Sequence, residues 1–340
     1  MADLALIQKR FLPDIEVELK TLIGRSPQPL YDIMRYHLGW IDEQGSPQDV
    51  VGGKRLRSIL CLLACQTVGG DWRLALPAAA AVELTHNFSL IHDDIEDESL
   101  VRRGRATVWS IWGKPQAINV GDSMYTLAKL ALLRLEDVGS THRAIVCASN
   151  LLNEACLKLC EGQYLDLCYE RRLDIGIDDY LEMIGCKTAT MFRCSMELGA
   201  SIGTEDKLLI EQLGNFGYAL GMAFQLQDDI LNIWGDSNDK VALSDILSRK
   251  KTLPVVYALE NASDADKDQL KLIYQKDTLV HADVEEVLKV LASVDAQSYA
   301  NAIAEKYYTE VFTELSDMAI IQSAKDDLHA IAAFAAERRW

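Results

Sequence analysis

Carboxylates at one-turn spacing are the feature of this sequence that most directly indicates chemistry. Asp93 and Asp97 stand four residues apart after an apolar stretch, and Asp228 and Asn232 repeat that spacing later in the chain. Residues four apart share one face of a helix, where like charges repel unless a cation lies between them. Mg²⁺ suits such a face because it takes one or two carboxylates and completes its shell with water and substrate phosphates. Either cluster alone is more often a solvated helix end, but the two together predict magnesium-binding motifs on facing helices of a bundle.

Basic side chains are scarce in this chain, yet several lie beside the acidic motifs. The formal net charge is −17, from 34 Lys and Arg against 51 Asp and Glu. Lys54, Arg55 and Arg57 stand at the start of a predicted helix, where backbone N–H groups favour anions, and residues 102–105 add three arginines. Further lysines in the second half are Lys187, Lys240, Lys250 and Lys251. Because guanidinium groups bind phosphate in a forked geometry, this placement predicts a diphosphate held between metal ions and basic side chains.

The bulk composition excludes several classes of protein. A chain this acidic has no basic face for a phosphate backbone, so no nucleic-acid partner is expected. Residues 1–20 mix acidic and basic side chains and lack the apolar core of a signal peptide. The longest wholly apolar run, residues 74–82, is far shorter than the roughly 20 residues of a membrane span. We therefore expect a cytoplasmic protein with no membrane span.

The eight cysteines are predicted to be thiols, as is usual in a cytoplasmic chain. Cys61 and Cys65 are four residues apart, as are Cys156 and Cys160, so each pair lies on one helix face. No nearby His completes a zinc-binding pattern. Buried thiols on helix faces are the expected outcome.

Helical periodicity dominates the chain, and alternating strands rich in Val, Ile and Thr are absent from the pattern. Helices are predicted over residues 55–68, 76–97, 117–135, 143–168, 177–198, 207–233 and 253–259, with several amphipathic helices after them. A loop is predicted at residues 102–105 and a polar break at 235–239. No low-complexity linker marks a boundary, so the prediction is an all-α protein with one domain over residues 1–340.

The order, spacing and types of these residues resemble the trans-isoprenyl diphosphate synthases, the family of farnesyl and geranylgeranyl diphosphate synthases. The resemblance extends over about residues 52–259. In chain order its motifs are Gly52 to Arg57, Glu83 to His86, Ser89 to Asp94, Arg102 to Gly104, Gly162 to Asp166, Lys187-Thr188, Phe224-Gln225, Asp228-Asp229, and the set Lys240, Asp245 and Lys250. It implies the isoprenoid synthase fold, a single large helical bundle around a central active-site cavity. It also implies a homodimer with an interface near residues 117–135.

The resemblance further implies a Mg²⁺-dependent prenyltransferase with three Mg²⁺ ions in its active site. Isopentenyl diphosphate would condense with dimethylallyl, geranyl or farnesyl diphosphate by ionisation, condensation and elimination. The implied metal ligands are Asp93, Asp94, Asp97 and Asp228. Lys54, Arg57, His86 and Arg103 would hold isopentenyl diphosphate, and Arg102, Lys187, Lys240 and Lys250 the allylic diphosphate. Thr188 and Gln225 would point oxygen dipoles at the developing allylic cation, so that Lys187, Thr188 and Gln225 form the implied catalytic group.

These implied roles are consistent with the charges that develop during the reaction. Breaking an allylic C–O bond puts positive charge on carbon and negative charge on the departing diphosphate, which preorganised cations stabilise. The isopentenyl double bond then attacks the allylic cation, and the released diphosphate is the expected base for the final proton loss. Exclusion of water would protect the cation. No protein nucleophile is required, and no triad-like setting stands out.

Two departures from the family pattern affect individual assignments. Asn232 replaces the Asp that many members have, although some similar geranylgeranyl synthases also have Asn there. Arg249 stands where a glycine often precedes the last lysine, so either Lys250 or Lys251 is left to contact the diphosphate. The sequence assigns no role to the terminal residues 338–340.

Product length depends, in this family, on the residues four and five before the first aspartate. Here these are Ser89, whose small side chain leaves room, and Phe88, whose ring blocks a longer chain. The hypothesis is a product of fifteen carbons, with twenty carbons as the alternative.

Two other functions share some of these sequence features. A class I terpene cyclase shares the helical fold and a first acidic motif, but it has no need of a second set of diphosphate-binding residues. Its second metal motif pairs Asn, Ser or Thr, and Glu, unlike Asp228-Asp229. A non-catalytic partner subunit of a prenyl synthase is faintly suggested by the paired cysteines at 61–65 and 156–160, but such partners usually have damaged acidic motifs. Consumption of isopentenyl diphosphate distinguishes a prenyl diphosphate synthase from a terpene cyclase.

Overall fold

The structure is a computed structural model that describes residues 4–48, 53–235 and 243–336. Helices account for nearly all regular structure in these ranges, which confirms the all-α prediction. Their bounds are α1 Leu4–Ile23, α2 Pro29–His37, α3 Leu56–Thr67, α4 Leu76–Glu96, α5 Val108–Trp112, α6 Lys114–Leu133, α7 His142–Glu170, α8 Ile177–Ile184, α9 Thr190–Gly203, α10 Lys207–Trp234, α11 Ser244–Leu247, α12 Leu253–Asn261, α13 Asp264–Tyr274, α14 His281–Ser293, α15 Ala296–Asp317 and α16 Gln322–Ala336. A 3₁₀ turn spans Trp72–Ala75, and a π-helical turn spans Gly185–Ala189.

Proline and glycine mark several of the helix ends. Pro29, Pro77, Pro115 and Pro254 stand in the first turn of α2, α4, α6 and α12. Proline is tolerated there because the first helical N–H groups have no partner within the helix. At the other end of α3, Gly69 has a φ of 88°, the left-handed conformation that ends helices. After residue 55, most predicted helix ends lie within three residues of those in the structure.

Two predicted elements differ in detail. The predicted loop at 102–105 is the tip of a hairpin in which β1 (Val101–Arg102) pairs antiparallel with β2 (Arg105–Ala106). Its two turn residues, Arg103 and Gly104, have φ angles of 52° and 73°, as a tight two-residue hairpin requires. The helix predicted over 177–198 is interrupted by the π turn, whose wider hydrogen-bond spacing leaves no mark in hydrophobic periodicity.

The described residues fall into two compact units. Unit 1 draws on residues 1–156, 194–214 and 319–328, and unit 2 on residues 157–193, 215–318 and 329–340. In unit 1, α4 packs against α3 and α6, and its alanine-rich first half is buried. In unit 2, one core cluster forms around Tyr180, Met222 and Leu253, and another gathers side chains from α12, α13 and α14. A single domain over the whole chain stays a prediction.

One helical stretch, Trp72–Glu96, is long and apolar enough to cross a membrane, and the described residues contain no second one. The length of the longest wholly apolar run in the sequence does not reveal this stretch, because polar residues such as Glu83 and His86 interrupt it. Within the structure, 72% of the apolar window is buried. Core helices of folded domains have the same length and composition, so packing inside unit 1 accounts for this stretch.

None of the eight cysteines, all of which lie in the described residues, forms a disulfide. Cys61, Cys65 and Cys156 are buried on their helices, as predicted. Cys160 is exposed, so the prediction was wrong for that residue. Burial raises the pKa of the Cys65 thiol to about 12, which keeps it protonated and unreactive.

Candidate active site

The first acidic motif, at the end of α4 in unit 1, is held by an arginine. Arg102 donates from Nη2 to Asp93 Oδ2 at 2.9 Å and from Nε to Asp94 Oδ1 at 2.7 Å. Asp94 is only 1% exposed, and burial raises its pKa to about 6 although Arg102 opposes the shift. The hairpin therefore supplies one of the positive charges that the clustered carboxylates need.

The same motif has the oxygen donors that a Mg²⁺ site needs. Asp94 Oδ2 is buried and has no hydrogen-bond partner among the described residues, so it can accept a further cation. Within those residues, no three His, Cys, Asp or Glu side chains converge as a ready-made metal cage. Mg²⁺ does not require one, because it usually combines one or two carboxylates with substrate phosphates and water. The donors present fit Mg²⁺ that arrives with a phosphorylated substrate.

The residues predicted to hold isopentenyl diphosphate come together in unit 1. Arg57 Nη1 lies 3.3 Å from His86 Nε2, which joins the start of α3 to α4. A Cβ added to Gly53, the residue before Lys54, would lie 2.8–2.9 Å from the guanidinium of Arg103. That glycine, with a φ of 112°, therefore lets the arginine at the hairpin tip pack directly on the basic loop. Burial, followed by Arg57 and Arg103, lowers the pKa of His86 well below its ordinary value, so its imidazole is neutral.

A buried ion-pair network supports this basic loop, and the sequence analysis missed it. Arg55 donates from Nε to Glu16 Oε1 at 2.9 Å and from Nη1 to Glu83 Oε1 at 3.0 Å. Glu83 also accepts from Ser58 Oγ at 3.0 Å and from Asn87 Nδ2 at 2.8 Å. The Arg55 side chain is thus buried in the interior, whereas its neighbours Lys54 and Arg57 belong to the residues predicted to hold isopentenyl diphosphate. The sequence did contain one signal for this network, Glu83 itself. An acidic side chain within an apolar helix is buried only when a basic or hydrogen-bonding partner accompanies it.

In unit 2, the π turn carries two of the three predicted catalytic residues, Lys187 and Thr188. Lys187 Nζ donates to Asp166 Oδ2 at 2.5 Å, and Thr188 Oγ1 donates to Gln225 Oε1 at 2.9 Å. Gln225 in turn donates from Nε2 to Asp229 Oδ1 at 3.0 Å. The structure therefore brings Thr188 and Gln225 into direct contact. π turns within helices occur frequently at functional sites, and this one carries Lys187 and Thr188.

The two aspartates of the second acidic motif have different environments. Asp229 is buried and accepts hydrogen bonds from the Tyr180 hydroxyl and from Leu253 N at 3.5 Å. Burial, then repulsion by Asp245, raises the pKa of Asp229 to about 7. Asp228 is half-buried, which leaves it as the aspartate of this motif suited to a metal. Asp229 instead orders the core around Gln225.

The loop after α10 gives the two candidate lysines different surroundings. Asn232 donates from Nδ2 to Asp245 Oδ2 at 2.8 Å, and Lys250 N donates to Asp245 O at 2.9 Å. Lys251 is 4% exposed and donates from Nζ to Glu170 O at 3.0 Å and to Arg249 O at 3.3 Å. Burial lowers its pKa to about 8. The Lys251 ammonium is therefore committed to carbonyls within unit 2. Lys240, the other predicted lysine of this region, lies outside the described residues, as does Gly52.

Comparison with known proteins gives consistent results. The sequence model of one family, described as polyprenyl synthetase, matches residues 44–291. The chain is 38% identical to a geranylgeranyl diphosphate synthase of Mycobacterium tuberculosis, over 85% of this chain and 82% of that protein. It is 33% identical to a (2E,6E)-farnesyl diphosphate synthase of the same species, over 94% of this chain and 89% of that protein.

Solved structures show the same similarity. The crystal structure of a polyprenyl synthetase from Streptomyces coelicolor A3(2) matches with a TM-score of 0.89 and 32% identity, covering 98% of this chain and 99% of that one. A geranylgeranyl pyrophosphate synthetase from Pyrococcus horikoshii matches with a TM-score of 0.88 and 34% identity, covering 98% of each chain. The all-α fold is that of these isoprenoid synthases.

Proposed function

The chain belongs to the polyprenyl synthetase family, and we propose that it condenses isopentenyl diphosphate with an allylic diphosphate to form a trans-prenyl diphosphate of fifteen or twenty carbons. The observation that carries this proposal is the basic cluster of unit 1. In a chain of net charge −17, Arg57 touches His86, and Arg103 packs on the loop that carries Lys54. This cluster is separate from Arg102, which is paired with the acidic motif. A second diphosphate therefore has its own binding residues, which a terpene cyclase does not need.

The proposed roles are those that the family resemblance implies. In unit 1, Asp93, Asp94 and Asp97 would hold Mg²⁺, and Lys54, Arg57, His86 and Arg103 would hold isopentenyl diphosphate. In unit 2, Asp228 would hold Mg²⁺, and Lys187 and Lys250 would bind the allylic diphosphate. The family resemblance assigns Arg102 and Lys240 to that substrate as well. We propose three Mg²⁺ ions in all. When bound, they would neutralise diphosphate oxygens and stabilise the departing negative charge.

The side chains of the π turn support ionisation in a different way. Thr188 donates its hydroxyl proton to Gln225, so the Thr188 oxygen keeps its lone pairs available for a developing allylic cation. The hydrogen bond from the Gln225 amide to Asp229 fixes the orientation of the Thr188–Gln225 pair before substrate binds. Preorganisation of this kind avoids reorienting dipoles during the reaction. The proton lost in the final step would go to the released diphosphate. His86 is proposed to bind isopentenyl diphosphate, and its lowered pKa makes it a weak base.

The test is a product assay on purified protein with Mg²⁺. Isopentenyl diphosphate is supplied with dimethylallyl, geranyl or farnesyl diphosphate, and the products are separated by chain length. The expected result is consumption of both substrates and a prenyl diphosphate of fifteen or twenty carbons. Conversion of an allylic diphosphate alone would indicate a cyclase, and no turnover would indicate a partner subunit. The relatives described above are synthases, which favours the enzyme.

Product length is proposed to be set by Phe88. Its ring is 7% exposed and lies 4.9 Å, between centroids, from Tyr125 of α6. Its position is fixed on another side by His92, at 5.7 Å between ring centroids. Ser89 is turned back to its own helix, where Oγ donates to His86 O at 2.8 Å. A rigid ring pair one turn before the first aspartate would close the prenyl channel, so we propose a fifteen-carbon main product.

Phe88→Ala is expected to lengthen the main product by at least one five-carbon unit, because it removes one ring of this pair. Chromatography of the dephosphorylated products measures the change. Phe88→Tyr keeps the bulk and should leave the product length unchanged. Products beyond twenty carbons from the unmodified protein, or no change in the alanine variant, would refute the role of Phe88.

Lys250→Ala is expected to lower kcat/KM for the allylic substrate by about 10- to 100-fold, the loss of one charge-assisted hydrogen bond. Lys251→Met keeps the aliphatic stem but leaves Glu170 O without this donor. It should lower the free energy of unfolding by about 1–3 kcal/mol and change the allylic KM much less. Steady-state kinetics and denaturant unfolding of both variants measure these effects. The opposite pattern would assign substrate contact to Lys251.

We also propose that the protein is a cytoplasmic homodimer. The exposed face of α6 supports the dimer, since it carries Ile118, Leu130 and Leu133, which are 45%, 39% and 54% exposed. Apolar side chains grouped on one helix mark protein interfaces more often than bare surface. Light scattering of the purified protein measures the mass directly, and a monomer at micromolar concentration would refute the dimer.

A further inference from the structure

Tyr180 of α8 is a buried tyrosine that belongs to no motif of the family resemblance and to no proposed step. Its side chain is only 1% exposed and packs in the core cluster of unit 2 that it shares with Met222 and Leu253. A buried phenol is expected to hydrogen-bond through its hydroxyl. The Tyr180 hydroxyl donates to Asp229, so this core residue contacts the second acidic motif.

A chain of hydrogen bonds runs from Tyr180 to Thr188. Asp229 accepts from the Tyr180 hydroxyl at Oδ2 and from Gln225 Nε2 at Oδ1, the latter at 3.0 Å. Gln225 Oε1 then accepts from Thr188 Oγ1 at 2.9 Å. All four side chains belong to unit 2, and Tyr180, Asp229 and Thr188 are buried. Water therefore has little access to replace a link that is lost.

The donors and acceptors in this chain set the direction of the Thr188 hydroxyl. A carboxylate accepts hydrogen bonds at both oxygens and donates none, so Asp229 requires the N–H side of the Gln225 amide. The Gln225 carbonyl is then left for Thr188, whose one hydroxyl proton is used and whose lone pairs stay free. Burial and repulsion by Asp245 raise the pKa of Asp229. The hydrogen bonds from Tyr180 and Gln225 oppose that rise, because they stabilise the carboxylate form.

We propose that Tyr180 is a positioning residue for ionisation of the allylic diphosphate, because it holds the Asp229 carboxylate that orients Gln225 and, through it, Thr188. An aspartate carboxyl group rotates easily about its Cβ–Cγ bond unless its oxygens are held. The other described donor to Asp229 Oδ2 is Leu253 N, at the long distance of 3.5 Å. The Tyr180 hydroxyl is therefore the main restraint on that oxygen. This inference rests on the proposed function of Thr188 and deepens it.

The test begins with Tyr180→Phe in the full-length protein, which removes the hydroxyl and keeps the ring that fills the core. The rate constant for prenyl transfer in a single turnover is expected to fall about 10-fold. The KM values for both substrates should change less than about 2-fold, because the Thr188 oxygen acts on charge that develops only in the transition state. Single-turnover kinetics separates this step from product release.

Tyr308→Phe is the matched control. Tyr308 of α15 lies in the same core cluster as Tyr180, and its hydroxyl donates to Ala335 O at 2.6 Å. Its removal also deletes one buried hydrogen bond, so thermal unfolding should show a similar decrease in Tm for both variants. The single-turnover rate of Tyr308→Phe should stay within about 2-fold of the unmodified protein. Equal losses of rate in the two variants would reduce Tyr180 to a structural residue and overturn the inference.

A double-mutant cycle with Thr188→Val tests the connection itself. If Tyr180 acts through Thr188, adding Tyr180→Phe to Thr188→Val should lower the rate by less than about a further 2-fold. Additive losses would show that Tyr180 acts by another route and would refute the inference. If Tyr180→Phe does not fold, Asp229→Asn carries the same cycle, because an amide has one oxygen for the two donors that Asp229 now accepts from.

The unmodified protein separates the two levels of the proposal. Consumption of isopentenyl diphosphate by the unmodified protein, with an unchanged rate in Tyr180→Phe, would leave the proposed function intact and refute the role of Tyr180. An unchanged rate in Thr188→Val would refute the role of Thr188 and with it that of Tyr180. No consumption of isopentenyl diphosphate by the unmodified protein would refute the proposed function itself.

Discussion

Asp93→Ala is expected to lower kcat/KM by at least about 100- to 1,000-fold, the cost of removing one group that stabilises developing charge. The substitution removes a carboxylate from the first acidic motif and also releases Arg102, whose Nη2 donates to Asp93 Oδ2. Arg102 would then be held by Asp94 alone, so both the metal ligand and a diphosphate-binding side chain lose their positions. Rates of product formation over a range of Mg²⁺ concentrations measure the effect.

Asp122→Ala is the matched control for this prediction. Asp122 lies on α6, 3.7 Å from His92 Nε2, and its side chain is 68% exposed. Its removal should change activity and stability little, because exposed ion pairs contribute about 0–1 kcal/mol. Thermal unfolding of both variants shows whether the fold survives. Undiminished activity in folded Asp93→Ala would rule out the proposed metal site in unit 1.

Gly162→Ala should lower kcat about 100-fold, because it displaces the π turn of unit 2. A Cβ at residue 162 of α7 would lie 2.2 Å from Lys187 N and 2.7 Å from Lys187 Cα. Both atoms belong to the backbone, so the turn itself must move rather than one flexible side chain. A shift of about 1 Å in catalytic groups can cost about 100-fold in rate. The overpacking should also lower the free energy of unfolding by about 1–3 kcal/mol.

Kinetics and denaturant unfolding of Gly162→Ala measure both consequences. Glu161→Ala, one residue earlier on α7, is the control, since Glu161 makes only an exposed ion pair with Lys158. It should stay within about 0.5 kcal/mol of the unmodified stability and keep its rate. If Gly162→Ala retained full activity, the close packing of α7 on the π turn would have no part in positioning Lys187 and Thr188.

The limits of sequence reasoning are visible in the first acidic motif and the hairpin that follows it. Helical spacing was enough to place Asp93 and Asp97 on one face of α4, because that relation depends only on the pitch of the helix. It did not reveal that Arg102 would bind Asp93 and Asp94 in a fork. That contact depends on the hairpin, in which Arg103 and Gly104 adopt positive φ and β1 pairs with β2.

A similar limit applies to the residues near the second acidic motif. The choice between Lys250 and Lys251 was open in the sequence, since two adjacent lysines have the same chemistry. Packing gives Lys251 a definite place, because its ammonium donates to the carbonyls of Glu170 and Arg249 in the interior. In the same way, Asp228 and Asp229 differ only through burial, which the tertiary structure determines.

The sequence by itself determined the helical class, the positions of most helices after residue 55 and the family, and it predicted the residue set of the candidate site. These follow from local periodicity, from helix-ending residues and from motifs whose spacing is encoded along the chain. Only the tertiary structure decided which members of that set touch and which are structural. The Arg55–Glu83 pair and the approach of Gly162 to Lys187 join residues distant in the chain. Such contacts depend on how helices pack, and helix packing leaves no periodic signal in the sequence.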